Sequence, residues 1–337
     1  MRSIKRNLTA VAAAVLASGL LAACGAAEQG GTAGGSSTGG ATAGGTPARS
    51  MVFVQGVAGD EFYISMQCGI EAAAKAANFT VDVQGAERFD PTLQKPIIDS
   101  VMAKKPDAIL VAPTDVTAMQ APLKAAADAG IKVVLVDTTL DDPSIAVSEI
   151  ASDNAGGGKA AFDAIKQLNP SGGKVLVISV KPGISTTDAR VKGFEDAAAT
   201  DPSFQYLGVQ FSNNEPSLAA QLVTAALQKD PDIVGIFATN LFSAEGSATG
   251  LRQAGKQEQV KIVGFDAGPA QVKALKDGTV QALIAQQPAK IGEDGVAQAV
   301  AALDGQPTEK KIQTGFTIIT QQNVDGEGKD ALYKSSC

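Results

Sequence analysis

The stretch Lys261-Ile262-Val263-Gly264-Phe265-Asp266 is a short apolar run that ends in one carboxylate. Apolar runs of this length are typical of a buried strand in a parallel sheet. Ligands of open α/β sheets bind beyond the carboxyl ends of the strands, which is where Asp266 would lie. The run Lys132-Val133-Val134-Leu135-Val136-Asp137 repeats the pattern earlier in the chain. Two such strands predict two similar lobes that face one ligand.

The flanking sequence shows that the chain is an internal repeat. Pro106-Asp107 is matched by Pro231-Asp232 at an offset of 125 residues, and Ala129-Gly130 by Ala254-Gly255 at the same offset. In both halves apolar runs alternate with helical patterns, which predicts an α/β protein of two doubly wound parallel sheets. The period is a whole domain, so the chain is not a solenoid.

Three features after the first half bear on the fold. The link between the halves is predicted around Ile150-Ala151-Ser152-Asp153-Asn154 and the glycines at 156–158, which would absorb a backbone rotation as hinges do. A helix is predicted to begin at Arg190. A last strand, Phe316-Thr317-Ile318-Ile319, precedes a polar tail that ends at Cys337.

Composition excludes several function classes. The chain has 337 residues, which suffices for two domains, and 45% of them are hydrophobic. It contains no His and no Trp, which excludes His-dependent zinc sites and a Ser-His-Asp triad. The formal net charge is −7, so the chain would repel nucleic acid, and we expect no nucleic-acid partner, metal or cofactor.

The N-terminus has the pattern of an export signal. Basic residues at positions 2, 5 and 6 precede an apolar run from Leu8 to Leu21, which is too short to span a bilayer comfortably. The following Leu21-Ala22-Ala23-Cys24 looks like a bacterial lipobox, so residues 1–23 are predicted as a lipoprotein signal peptide with Cys24 lipidated. The alternative is an ordinary secretory signal with a chance cysteine.

Residues 24–50 are almost wholly Gly, Ala, Ser and Thr, which predicts a flexible tether. A Gly-rich chain of this length spans roughly 25–30 Å on average. The folded body would therefore lie outside the cell membrane, held to it by the lipid alone.

Short motifs spread over the body carry a resemblance to a known family. From Met51 to about Gln322 the chain resembles the ribose-binding protein family, the sugar-binding periplasmic proteins of ABC importers. The motifs are Phe62-Tyr63-Ile64-Ser65, Pro106-Asp107-Ala108-Ile109-Leu110-Val111, Ile150-Ala151-Ser152-Asp153-Asn154, Ile262-Val263-Gly264-Phe265-Asp266, and Ile284-Ala285-Gln286-Gln287-Pro288 with Ile291-Gly292.

The resemblance implies the type I periplasmic binding protein fold, in which two lobes joined by three crossings close on a sugar. It places hinge residues at Ser152, Asp153 and Gln287, and a further crossing near Gly315-Phe316. The first lobe would comprise residues 51–152 and 287–315, and the second residues 153–286 and 316–337. It implies a monomeric, non-enzymatic protein that delivers a sugar or sugar alcohol to an ABC permease with its ATPase.

The resemblance also implies a ligand set. It places the aromatic pair of the site at Phe62 and Tyr63, whose rings would pack on the C–H faces of a sugar; one of them would instead fill the lobe core in the alternative interpretation. For Asp266 the alternative is a helix N-cap. The polar positions of the set are Asp60, Asp137, Thr138, Asp188, Arg190, Asn214, Asn240, Asp266 and Gln286.

Four positions depart from the ribose binders of the family, one of them Leu241, which stands where those proteins have an aspartate. Thr138 and Asp188 stand where those proteins have arginines, although Arg190 follows two residues on, and Asn214 replaces an aromatic residue. The predicted pocket is therefore acid-rich. It disfavours ribose and favours another neutral sugar, a sugar alcohol or a ligand that bears an amine.

Two other function classes were weighed. For an enzyme, none of the four Gly-Lys pairs is followed by the Ser or Thr of a P-loop, and no G-x-S-x-G elbow follows a predicted strand, so a hydrolase acting on sugars is less favoured. A receptor subunit for chemotaxis or signalling remains the alternative within the binding class. Neighbouring genes would separate these two, since a permease and an ATPase indicate import and a kinase indicates signalling.

Two cysteines remain if Cys24 is lipidated. Cys68 lies in the first predicted helix of the body and Cys337 is the last residue. Export to an oxidising compartment permits a disulfide, and we predict that the two pair and hold the tail to the first lobe. A disulfide that closes so long a loop would stabilise the folded state by roughly 4–5 kcal/mol, because it lowers the entropy of the unfolded chain. The alternative is a buried free Cys68 and a frayed terminus.

Overall fold

The computed structural model describes residues 49–337, so the predicted signal peptide, the lipidation site Cys24 and most of the tether lie outside the described residues. Arg49 and Ser50, which were predicted as the end of the tether, already belong to the first strand. Within residues 49–337, no helix is both long enough and apolar enough to cross a bilayer.

In the first half of the body, strands and helices alternate as the apolar runs predict. The elements are β1 (Arg49–Gln55), α1 (Glu61–Ala76), β2 (Phe79–Gly85), α2 (Pro91–Lys104), β3 (Ala108–Val111), α3 (Gln120–Asp128), β4 (Lys132–Val136) and β5 (Ser148–Ser152).

The second half repeats the alternation and continues past it. Its elements are α4 (Asn154–Leu168), β6 (Gly173–Ser179), α5 (Ser185–Ala199), β7 (Phe204–Phe211), α6 (Pro216–Lys229), β8 (Ile233–Ala238), α7 (Leu241–Ala254), β9 (Lys261–Phe265), α8 (Pro269–Lys276), β10 (Ala282–Gln286), α9 (Pro288–Leu303), β11 (Lys311–Thr314) and β12 (Phe316–Ile319). The helix predicted from Arg190 begins five residues earlier, at Ser185.

The strands form two six-stranded sheets with the same topology. The order is β11-β5-β4-β3-β1-β2 in the first sheet and β12-β10-β9-β8-β6-β7 in the second. All neighbours are parallel except β10 and β12, which pair antiparallel. The central strands are apolar throughout because helices cover both faces; β3, for example, is fully buried. The predicted fold class of two doubly wound parallel sheets is confirmed.

The chain passes between the sheets three times. It leaves the first sheet after Ser152 and enters α4, returns after Gln286 into α9, and crosses again between Thr314 and Phe316. The Ser152 hydroxyl donates to Gln286 Oε1 at 2.8 Å, so two crossings are hydrogen-bonded to each other. Asp153 caps α4 by accepting from Gly156 N at 3.0 Å.

The glycines at 156–158 are not a flexible link, and that prediction is wrong. They form the first turns of α4. A Cβ on Gly158 would lie 2.0 Å from the carbonyl oxygen of Arg190, and one on Gly193 would lie 2.1 Å from that of Ala155. Gly158 and Gly193 therefore let α4 and α5 cross with their backbones in contact, which is a packing requirement.

The C-terminal tail leaves the second sheet and reaches the first lobe. Val324 is buried in the core after β12, and a short 3-10 turn covers Lys329–Ala331. Cys337 then forms a disulfide with Cys68 on α1, with 5.3 Å between the Cα atoms. The tail therefore joins the two lobes covalently, in addition to the three crossings.

Candidate functional site

A cavity lies between the carboxyl ends of the two sheets. Together with its open mouth, it occupies about 410 Å³. Residues from both lobes line it: Asp60, Phe62, Tyr63, Phe89, Asp137, Val180, Ile184, Thr186, Thr187, Arg190, Asn214, Asn240, Asp266 and Gln286.

Asp137 and Asp266 are held in the same way in the two lobes. Each follows a strand and has positive φ, 66° at Asp137 and 77° at Asp266. The backbone N–H of Asp137 donates to Ile150 O at 2.8 Å, and that of Asp266 donates to Ile284 O at 2.9 Å, each on the neighbouring strand. Aspartate tolerates the left-handed region better than most residues. The repeat therefore aims two carboxylates at one cavity.

Asp137 has one carboxylate oxygen that accepts no hydrogen bond within the described chain. Its side chain is buried, and Oδ2 accepts from the Tyr63 hydroxyl at 2.8 Å. The Tyr63 hydroxyl is thus the donor to this side chain, and the residue as a whole lines the cavity. Burial raises the pKa of Asp137 to about 6, although Arg190 and the Tyr63 hydroxyl act in the opposite direction.

Asp60 combines a structural and a site role. It is the N-cap of α1, and its Oδ1 accepts from Phe62 N at 2.8 Å. The second oxygen receives no hydrogen bond within the described chain. Burial, followed by the charge of Asp266, raises the pKa of Asp60 well above its usual value. A donor from a ligand would relieve this cost.

Asp266 is the most heavily bonded carboxylate of the site. Oδ2 accepts from Leu241 N at 2.9 Å, which is the first residue of α7. Oδ1 accepts from Gln286 Nε2 at 2.7 Å and from the Tyr333 hydroxyl at 3.0 Å. The helix directly after Asp266 is capped by Gly268 instead. Asp266 therefore supports the N-terminus of a different helix while lining the cavity.

Arg190 provides the positive charge of the cavity lining. It is 2% exposed, and its Nε donates to Asn154 Oδ1 and its Nη1 to Thr239 O, both at 2.8 Å. The guanidinium lies 3.7 Å from the ring centroid of Phe265, which favours a desolvated cation. Its Nη2 makes no hydrogen bond to a described residue and is available to a ligand.

Two amides complete the polar lining from the second lobe. Asn240 caps α7 by accepting from Ser243 N at 3.2 Å, and its Nδ2 donates to Asn214 Oδ1 at 2.7 Å. Asn214 has a positive φ of 63°. Each amide retains hydrogen-bonding capacity toward the cavity.

The aromatic lining comes from the first lobe. Phe62 and Tyr63 are buried and meet edge to face with their ring centroids 5.1 Å apart. Phe89 also lines the cavity, and the sequence analysis missed it because it lies in a loop without a motif. A Cβ on Gly56 would come within 2.5 Å of both Tyr63 and Phe89, so this glycine makes room for the two rings.

Two predicted ligand positions do not line this cavity. Thr138 follows the left-handed Asp137, and its hydroxyl points away and donates to Pro113 O at 2.7 Å. Asp188 lies on α5 and accepts from Gly183 N at 2.8 Å. Two residues correspond to about 200° around a helix, so Arg190 faces the cavity and Asp188 does not. The cavity lining therefore includes the predicted Arg190 but not the predicted Asp188.

Five further residues at or beside the cavity carry no motif in the sequence and were not predicted: Val180, Ile184, Thr186, Thr187 and Tyr333. The first four precede or open α5, whose start was placed too late. Tyr333 lies in the polar tail, where hydrophobic periodicity gives no signal. Within residues 49–337 no group of three or more side chains is arranged to hold a metal ion.

Comparisons with known proteins agree with this geometry. A family described as periplasmic binding protein domains matches residues 51–307. The ribose import binding protein of Salmonella typhimurium is 30% identical over 273 residues, which cover 81% of this chain and 91% of that protein.

Two solved structures from Agrobacterium vitis are similar throughout the body. An ABC transporter solute-binding protein bound with α-D-tagatopyranose has a TM-score of 0.83 and 43% identity, covering 85% of this chain and 99% of that one. A second one, with bound D-fucose, has a TM-score of 0.80 and 30% identity, covering 84% of this chain and all of that one.

The chain belongs to the periplasmic binding protein family, in the class of extracytoplasmic solute-binding proteins of ABC importers. Proteins of this class bind a solute and do not transform it, so the chain is a binding protein and not an enzyme. Within the family, its relatives described above are named for ribose or hold a monosaccharide.

Proposed function

We propose that this protein captures a neutral monosaccharide in its ring form and delivers it to an ABC import permease. The observation that carries the proposal is the cavity itself. It joins free carboxylate oxygens, a guanidinium and amides from two lobes around aromatic rings. A sugar ring presents hydroxyl groups at its edge and C–H groups on its faces, which matches this lining.

The hydrogen-bonding capacity of the cavity supports hydroxyl recognition. Free oxygens of Asp60 and Asp137 only accept while they are ionised, and Nη2 of Arg190 only donates. A hydroxyl group can satisfy either kind of partner, because it donates one hydrogen bond and accepts others. Hydroxyls that donate to Asp60 would also relieve a buried carboxylate that otherwise lacks a second partner.

The charge of the cavity supports a neutral ligand. Asp60, Asp137 and Asp266 oppose the single cation Arg190 among the residues that line it. Phosphorylated or acidic sugars would add a negative charge to this surplus and are disfavoured. The relatives that hold tagatopyranose and fucose have neutral ligands.

Delivery requires that the site open and close. We propose lobes of residues 51–152 with 287–315 and of 153–286 with 316–337, which rotate about Ser152, Asp153 and Gln287. The hydrogen bond between Ser152 and Gln286 lies at this hinge. Export and a lipid on Cys24 would hold the folded body at the membrane that contains the permease. The flexible tether would be long enough for the body to reach the permease.

The test is a calorimetric titration of the full-length protein with D-tagatose, D-fucose, D-ribose, D-allose, galactitol and galactosamine. We expect at least one neutral sugar to bind. Asp137→Asn should weaken that binding roughly tenfold to a hundredfold, because a hydrogen bond to a charged group contributes about 1.5–3 kcal/mol.

Asp188→Asn is the matched control, since this carboxylate lies outside the cavity. It should leave the affinity unchanged. Absence of heat with every compound, or equal losses in the two variants, would contradict the proposed site.

A further inference from the structure

The tail beyond β12 reaches the floor of the cavity. The backbone N–H of Tyr333 donates to Ala267 O at 3.0 Å, directly beside Asp266. The next residue, Lys334, donates from its N–H to Ser65 Oγ at 2.8 Å on α1 of the first lobe. Tyr333 is therefore held where the two lobes meet.

Tyr333 does not line the cavity but contacts residues that do. Its side chain is buried, and its hydroxyl accepts from Gln286 N at 2.9 Å and donates to Asp266 Oδ1 at 3.0 Å. Its ring lies 5.9 Å from that of Phe62, centroid to centroid. Three residues of the cavity lining thus depend on one side chain of the tail.

The disulfide fixes the end of this segment. Cys337 is bonded to Cys68 on α1, only four residues after Tyr333. Tyr333 is therefore anchored on both sides, by its backbone contact with Ala267 and by the disulfide. The family match ends at residue 307, so it does not cover the tail with Tyr333 and Cys337.

We propose that Tyr333 is a positioning residue of the sugar site, which acts through Asp266 and Gln286 and is held in place by the Cys68–Cys337 disulfide. This inference rests on the proposed function. The Tyr333 hydroxyl orients the Asp266 carboxylate that faces the sugar and fixes Gln286 at the second crossing between the lobes. Site geometry is thereby linked to an intact tail.

The physical reason lies in the buried hydrogen bonds. Without the hydroxyl, the Gln286 N–H loses its acceptor and Asp266 Oδ1 loses one of two donors. An unpaired buried donor is costly, so the crossing and the carboxylate would shift to find new partners. Burial and the charge of Asp266 raise the pKa of Tyr333 well above its usual value, which keeps the hydroxyl protonated as a donor.

The test compares four variants with the full-length wild type by calorimetry with D-tagatose and D-fucose. Tyr333→Phe removes the hydroxyl and keeps the ring. Tyr206→Phe is the matched control, a half-buried tyrosine in the same lobe outside the cavity. The others are Cys68→Ser with Cys337→Ser, and that pair combined with Tyr333→Phe.

We expect Tyr333→Phe to raise Kd about tenfold, the effect of leaving one buried group unpaired, and Tyr206→Phe to have no effect. The cysteine pair should raise Kd several-fold in wild type but add little in the Tyr333→Phe background. Such non-additivity is the signature of two changes that act through one contact. A purely stabilising role would lower the unfolding midpoint of the free protein and leave Kd at room temperature unchanged.

The possible results separate a failure of this inference from a failure of the proposed function. An unchanged Kd in Tyr333→Phe, or full additivity with the cysteine pair, overturns the inference while the proposed function stands. Should Tyr333→Phe not fold, an unchanged Kd in the cysteine pair overturns it equally. A wild-type protein that binds neither sugar, nor any other compound of the panel above, refutes the proposed function and with it this inference.

Discussion

At the scale of single residues, the site is assembled from strained and buried acids. Asp137 and Asp266 both occupy the left-handed region, which costs energy in a non-glycine residue. Asp60 and Asp137 each leave one carboxylate oxygen without a donor from the described chain. The ligand-free site is therefore less stable than its surroundings, and a bound sugar would recover part of that free energy.

Asp137 should make the stability of the free protein fall as pH rises. Its pKa is raised from 3.8 to about 6 in the folded state, so the folded state binds the proton more tightly than the unfolded state. Below the pKa that Asp137 has in the unfolded state, the carboxyl is protonated in both states and its burial costs no stability. As pH rises through this window the penalty grows, and above about pH 6 it is complete, at about 3 kcal/mol.

Asp137→Asn should remove this contribution. Urea unfolding without sugar, at about pH 4 and about pH 7, should show that the variant gains stability relative to wild type at the higher pH. Asp60 acts in the same direction in both proteins, and the charge of Asp137 is the smallest of the causes that raise its pKa, so most of its contribution cancels in the comparison. A difference between the two proteins that does not change with pH would contradict the prediction.

At the scale of elements, helix N-termini converge on the cavity. Asp60 accepts from the first turn of α1, and Asn240 and Asp266 both accept from the first turn of α7. The backbone N–H groups at a helix start favour negative charge. Capping and ligand contact were weighed as alternatives for Asp266, but one carboxylate can do both, since each oxygen has two lone pairs.

The contact between α4 and α5 positions Arg190, and it depends on Gly158. A Cβ there would meet the Arg190 carbonyl oxygen at 2.0 Å. We expect Gly158→Ala to lower the free energy of unfolding by about 1–3 kcal/mol, the usual cost of overpacking, and to weaken sugar binding by displacing Arg190. In an open helix the same change would stabilise by about 1 kcal/mol.

Gly326→Ala is the control for this prediction, because a Cβ there would meet only Asn323 O, at 3.7 Å. Urea unfolding should show little change in the control. A stabilised Gly158→Ala protein would show that the two helices tolerate a wider separation and that the close contact is not required.

At the scale of the whole molecule, the described conformation is closed. Val116 N donates to Gly183 O at 3.2 Å, and Thr139 N donates to Ser185 Oγ at 3.0 Å, so both bonds join a loop of the first lobe to the segment that opens α5. Two hydrogen bonds hold the lobes together weakly compared with a ligand that bonds to both lobes.

We expect the free protein to open in solution and to close when sugar binds. Small-angle X-ray scattering should show a radius of gyration that falls on addition of the tightest sugar of the panel. Ser185→Ala removes one of these two hydrogen bonds and should favour the open form of the free protein. A larger open fraction lowers the affinity for the sugar slightly. A radius of gyration that is unaffected by a sugar that binds would exclude closure as the means of capture.

Local sequence determined the two sheets. Apolar runs that end in aspartate and the repeat at 125 residues follow from short-range patterns, because a strand buried on both faces must be apolar along its length. The resemblance to a family then gave most of the cavity, including Phe62, Tyr63, Asp137, Arg190 and Asp266.

Tertiary structure decided the features that depend on direction or on distant contacts. Whether Asp188 or Arg190 lines the cavity depends on where α5 starts. The role of Gly158 depends on α5, a helix from elsewhere in the chain. Tyr333 reaches Asp266 across 67 residues from a tail without periodicity. Sequence patterns report local burial, whereas a side chain's target is set by the packing of segments far apart in the chain.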